Sequence, residues 1–176
     1  VTVHHRWLRW LLVAAFVVLG AGLVVAMGRR SRPEEPVVDP LSRFGSVALT
    51  VDPGDGSDSL AWCLLAAITA DERSRGLMEI TDLRGYAGMA FIYDEDVDHG
   101  FYMRNTPTPL SIAWISAAGQ VVSSTDMAPC GDRDGCPVYP PAGRYRYAIE
   151  VPQGRLGDLG IGEAATVTVG GGCSPS

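Results

Sequence analysis

Apolar residues follow two different rhythms along this chain. Residues 10–27 read WLLVAAFVVLGAGLVVAM, eighteen positions without a charge, which reach about 27 Å as a helix. Beyond residue 44 the apolar positions come in short alternations broken by Gly, Pro and Asp. Residues 47–51 predict a first strand. Residues 60–68 are continuously apolar and fit a buried strand or a helix; their length and their Trp, Leu and Ile content favour the strand. Thr69 and Glu72 stand at capping-box spacing, ahead of a helix of about two turns that Gly76 can close.

Strand signals then follow closely. Met89, Phe91 and Tyr93 alternate with Ala90 and Ile92. Phe101 and Met103 share a face, as do Leu110, Ile112 and Trp114, and residues 120–127 are placed to pair with the preceding strand through SAAG. Tyr145, Tyr147, Ile149 and Val151 alternate with Arg146, Ala148 and Glu150, the cleanest period of two in the chain. A brief helical turn over residues 154–159 and a last strand over 165–169 complete the pattern. Seven or eight short strands with one short helix predict a mainly β domain, a compact antiparallel β-sandwich or barrel.

The first third has a different organisation. Residues 1–9 form a basic tail with Arg6 and Arg9. Residues 10–28 read as a transmembrane anchor or an uncleaved signal, because the apolar run nearly matches a hydrocarbon core of ~30 Å. A cleaved signal needs a shorter run and a small-residue cleavage site, for which VVA at 24–26 is a poor candidate. Residues 29–45 are a Pro-rich spacer, and residues 46–173 are the β-rich globular domain. Arg29, Arg30 and Arg32 slightly outnumber the arginines before the span, a bias that by itself keeps the domain in the cytoplasm.

Cysteine usage points the other way. Cys63, Cys130, Cys136 and Cys173 all follow the apolar segment, and an even number in a small exported domain predicts disulfides. Cys130 and Cys136 close the Gly- and Asp-rich loop CGDRDGC; Cys63 and Cys173 lie near the two ends of the domain and pair if their strands are neighbours. The spacing C-x5-C does not suit zinc. The domain is therefore expected outside the cytoplasm, single-pass anchored in the cell membrane, with no metal and no cofactor.

Charge narrows the partners. All fourteen basic residues are Arg, and after Arg32 nine of them face all twenty carboxylates, a net of minus eleven. Nucleic-acid binding needs a basic face, so that class is excluded.

Several motifs occur in a fixed order: RGLM at 75–78, GMAFIY at 88–93, FYMRNTPTPLSIAWI at 101–115, CPVY at 136–139, RYRYAIEVPQG at 144–154 and LGIGE at 159–163. Together they resemble the small bacterial and archaeal family known as domain of unknown function 192. Its core motif usually reads Phe-Trp-Met-Lys-Asn-Thr-x-x-Pro-Leu; here Tyr102 replaces the Trp and Arg104 the Lys. The resemblance implies a compact β-rich domain, commonly exported or anchored, and implies no reaction.

The corner MRNTPTPL has two readings. As a turn, Asn105 and Thr106 satisfy backbone groups while Pro107 and Pro109 fix the chain. As a site, Tyr102, Arg104, Asn105 and Thr106 supply a wall, a planar fork of donors and adjustable polar groups for a small polar ligand. The expected function is that of a binding or accessory module for such a ligand or a cell-envelope component. A first alternative is an envelope hydrolase or transferase using His99, the only histidine beyond residue 5, or paired carboxylates. A second is a structural partner of another envelope protein. The stretch Asp94-x-Asp96-x-Asp98 only superficially resembles a calcium loop, lacking Gly at the sixth and Glu at the twelfth position, and Met78, Met89 and Met103 read as core rather than copper ligands.

Overall fold

The computed structural model describes residues 39–175. The expected basic tail, anchor and most of the spacer lie outside the described residues, among which no helix is long and apolar enough to cross a membrane. The end of the spacer segment is part of the fold. Pro40–Arg43 form a 3₁₀ turn, and the Asp39 carboxylate accepts from the Leu41 amide at 3.0 Å. This seats Leu41 and Phe44 in the core.

Nine strands and one α-helix follow among the described residues: β1 Gly45–Asp52, β2 Leu60–Ala67, α1 Ala70–Arg75, β3 Met89–Val97, β4 Phe101–Tyr102, β5 Leu110–Ile115, β6 Val121–Met127, β7 Val138–Tyr139, β8 Tyr145–Pro152 and β9 Thr166–Val169. Seven strands make one sheet in the order β6-β5-β8-β3-β2-β1-β9, while β4 and β7 pair separately. The fold is mainly β, as expected. The antiparallel expectation needs one correction, because β2 and β3 run parallel, with Leu65 opposite Met89. Residues 68–88 carry α1 and form a connection long enough for a crossover, which a hairpin turn is not.

The helix is short and strongly capped. The Thr69 hydroxyl accepts from the Glu72 amide, and the Glu72 carboxylate accepts from the Ile68 and Thr69 amides, each at 2.8 Å. Those backbone donors hold Glu72 below the usual carboxylate range. Gly76 ends the helix at φ 48, and a Cβ there would meet the Phe91 ring at 3.1 Å. A side chain there would crowd the Phe91 ring and strain the positive φ.

Both faces of the sheet are covered. On one, Leu49, Leu64, Ala90, Ala113, Ile115, Ile149 and Val167 form a core drawn from six strands. The sheet curls round this core until its ends meet: the Val167 amide donates to the Gly119 carbonyl at 2.8 Å, and Gln120 bridges to Thr166. On the other face, Met89, Phe91, Ile112, Trp114 and Ala148 pack beneath Leu77, Ile80, Phe101 and Met103, which come from β4 and the connections. The alternation expected for β8 breaks at its start. Tyr145 belongs to this second core whereas Tyr147 packs against the first, and the pairing with β3 shifts register between Ile92 and Val97. A bulge of that kind reverses the facing of every residue before it.

Candidate functional site

The four cysteines pair as Cys63–Cys173 and Cys130–Cys136. The first bridge crosses β1: Cys63 on β2 lies opposite Ala48, and the tail after β9 hydrogen-bonds to Ala48 from the other side through Gly170 and Gly171. The second closes the loop beneath the MRNT corner, where Thr106 bridges to Cys130.

That corner divides into two halves. Asn105 adopts a left-handed backbone, φ 54, and its side-chain amide donates to Glu79 Oε1 at 3.0 Å. Its backbone amide donates to the Gly131 carbonyl at 3.3 Å. Arg104 Nε donates to Asp132 at 2.9 Å and its Nη1 to Asp134 at 3.5 Å, both on the disulfide loop. The hydrogen bond and the charge of Asp132 push the Arg104 guanidinium upward. Arg104 and Asn105 thus tie the corner to its neighbours. Tyr102, exposed on β4, and Thr106, buried, instead line a cleft on the other side.

The cleft has a volume of about 750 Å³ and lies between α1, β3 and β4, within the range of small-molecule sites. Phe91, Tyr93, Phe101, His99 and Tyr102 line it together with Arg73 and Arg75 of α1. His99 Nε2 is 3.3 Å from the Tyr93 hydroxyl. The Tyr145 hydroxyl donates to the His99 carbonyl at 2.8 Å, which fixes the loop carrying His99. Burial pushes the Tyr93 and Tyr145 phenols upward. Arg73 lies 4.7 Å from the centre of the Tyr93 ring and donates to the Ile68 and Ile92 carbonyls.

Glu150 forms part of the same lining and is the feature that the period of two conceals. It sits on the central strand β8, between Met89 of β3 and Ile112 of β5, and is only 4 % exposed. Burial alone pushes its carboxyl up to about 8, with no hydrogen bond or neighbouring charge opposing the shift. Counted by alternation, Glu150 shares a face with Arg146 and reads as solvent-facing. In the fold that face is roofed by α1 and the connections, so a carboxyl is enclosed where a strand in a one-sided sheet would expose it. An isolated Glu at the end of an apolar alternation, one residue before Val151 and Pro152, is the only local trace of this.

The acidic run is drawn into the fold differently from a calcium loop. Asp94 and Asp96 lie on β3, and Asp96 accepts from Arg146 Nε at 3.0 Å. Of the three methionines weighed as copper ligands, Met89 and Met103 are buried in the second core, and Met78 lines the cleft.

No curated protein matches this chain. Solved structures share its fold. A protein of unknown function from Novosphingobium aromaticivorans DSM 12444 superposes with a TM-score of 0.63 at 28 % identity, over 77 % of this chain and 94 % of that one. A protein from Sinorhizobium meliloti 1021, named for a supposed role in transcription regulation, superposes with a TM-score of 0.61 at 17 % identity, over 72 % of this chain and 95 % of that one. The family model DUF192, described as an uncharacterized ACR, matches residues 54–169. The chain belongs to the DUF192 family.

Proposed function

We propose that this chain is a membrane-tethered binding module working outside the cytoplasm, with a small polar molecule held in the cleft between α1, β3 and β4. One observation carries the reading: Glu150, buried and without an internal partner, belongs to the lining of a cleft of ligand size. A buried carboxyl of this kind costs stability unless something pairs with it. Tyr102 and Thr106 act within the site, and Arg104 and Asn105 act as its scaffold. The two disulfides support an oxidising compartment, and the uncharged run at 10–27 supports the tether.

The test is a thermal-shift screen of the chain against amines, sugars, amino acids and carboxylates, repeated on Glu150→Gln and Tyr102→Ala. A ligand of the cleft raises the melting temperature of the wild type through linkage and loses that effect in one or both variants. Binders that act equally on all three proteins, or no binders at all, would sink the reading.

A second reading has its own support. His99 and Glu150 line one cleft, and a hydrolase or transferase would use two such groups for acid–base work. It predicts turnover that His99→Gln abolishes while leaving ligand affinity intact.

A further inference from the structure

The chemistry of the cleft narrows its ligand, taking the binding reading above as given. Its two arginines already have partners, and His99 lies beside the Tyr93 hydroxyl. Arg73 donates to two backbone carbonyls and lies over Tyr93, and Arg75 pairs with Glu79. Its acids are in the opposite condition: Glu150 has no counter-charge, and Asp94 and Glu95 add carboxylates at the rim. An anionic ligand would meet three carboxyl groups and no free guanidinium. A neutral polyol would offer no charge to the Asp94 and Glu95 carboxylates and nothing that favours ionising Glu150.

A cation answers both conditions. The rings of Phe91, Phe101 and Tyr102 line the same space, and aromatic faces attract positive charge through their quadrupoles, as Arg73 over Tyr93 already does. An ammonium against a carboxylate forms the shorter and stronger class of hydrogen bond, more so out of water. The acidic surround, nine arginines against twenty carboxylates beyond Arg32, draws cations toward the site.

We propose that the cleft binds a small organic amine, its ammonium group on the Glu150 carboxylate and its carbon skeleton against the aromatic wall. Burial holds the Glu150 proton up to about 8 in the free protein, so docking near neutral pH releases that proton to solvent as the ion pair forms.

Three probes of one shape test this on the full chain in detergent: benzylamine, benzyl alcohol and benzoate, followed by isothermal titration calorimetry. Benzylamine is expected to bind at least about tenfold more tightly than the other two, the scale of one charge-assisted contact. Glu150→Gln should bring benzylamine down to the level of benzyl alcohol and leave benzyl alcohol unchanged. Tyr102→Ala, which removes an exposed ring and keeps the fold, should weaken benzylamine about threefold. The proposal is overturned if benzyl alcohol or benzoate binds as well as benzylamine, if benzylamine fails to bind, or if its affinity ignores both substitutions. Should a sugar or carboxylate from the wider screen bind in a Glu150- or Tyr102-dependent way, the amine assignment falls and the cleft stands; if nothing binds, both fall.

Discussion

Asn105 and Glu79 hold each other from both directions. The Glu79 amide donates to the Asn105 carbonyl at 2.8 Å, and the Asn105 side-chain amide returns a hydrogen bond to Glu79 Oε1 at 3.0 Å. Both residues have left-handed backbones, φ 54 and φ 61. The pair joins the segment after α1 to the corner after β4, the two connections that frame the cleft. Glu79 is held below the usual carboxylate range, first by Asn105 and then by Arg75.

Removing the clamp from the Asn105 side should therefore be costly. Asn105→Ala loses the side-chain bond and puts a Cβ without local compensation at positive φ, a loss of about 1–2 kcal/mol. Asn105→Gly keeps the backbone free to adopt that φ and should lose about half as much. Urea unfolding of the three proteins measures the order. Equal losses in Ala and Gly would show that the backbone conformation is not what Asn105 supplies.

Arg104 makes the contrasting case. Its ion pairs to Asp132 and Asp134 are exposed at both ends, where solvent screening leaves such pairs little to contribute. Arg104→Ala should leave the urea unfolding midpoint close to that of the wild type and leave affinity for a cleft ligand unchanged. A tenfold loss of affinity would return Arg104 to the site.

Glu150 gives the protein a pH dependence of unusual sign. Its folded-state value, about 8, stands above the ordinary carboxylate value of ~4.3. Between those values the folded protein holds a proton that the unfolded chain has lost. Stability is therefore fully supported below ~4.3 and declines as pH rises through about 8, with a slope approaching ~1.4 kcal/mol per unit. Denaturation midpoints between about pH 5 and pH 9 should fall for the wild type and stay flatter for Glu150→Gln. Parallel curves would mean that Glu150 is paired or hydrated in solution.

The two disulfides should contribute unequally. Cys63–Cys173 spans 110 residues and Cys130–Cys136 spans 6. In the chain-entropy model the long loop stabilises by just under ~5 kcal/mol and the short one by about 2 kcal/mol. Replacing each pair by Ala and comparing unfolding midpoints tests the order. The long bridge also pins the tail beside β1, where Ser46 Oγ donates to the Cys173 carbonyl at 2.9 Å, so its loss should free the last residues to exchange and proteolysis.

What could be read from the residues alone is what depends on near neighbours in the chain. The Thr69–Glu72 box, the Gly76 stop, the shared face of Leu110, Ile112 and Trp114, and the β5–β6 hairpin are all settled within a few positions. The Cys130–Cys136 loop is equally local. Tertiary structure alone decided the parallel pairing of β2 with β3, the facing of Tyr145, the division of the MRNT corner into scaffold and cleft wall, and the burial of Glu150. Each depends on which connection crosses which face of the sheet. A period of two tells a strand's two faces apart, but it carries no information about whether the second face is roofed. Here it is roofed, and the position that alternation assigns to water is where the enclosed carboxyl lies.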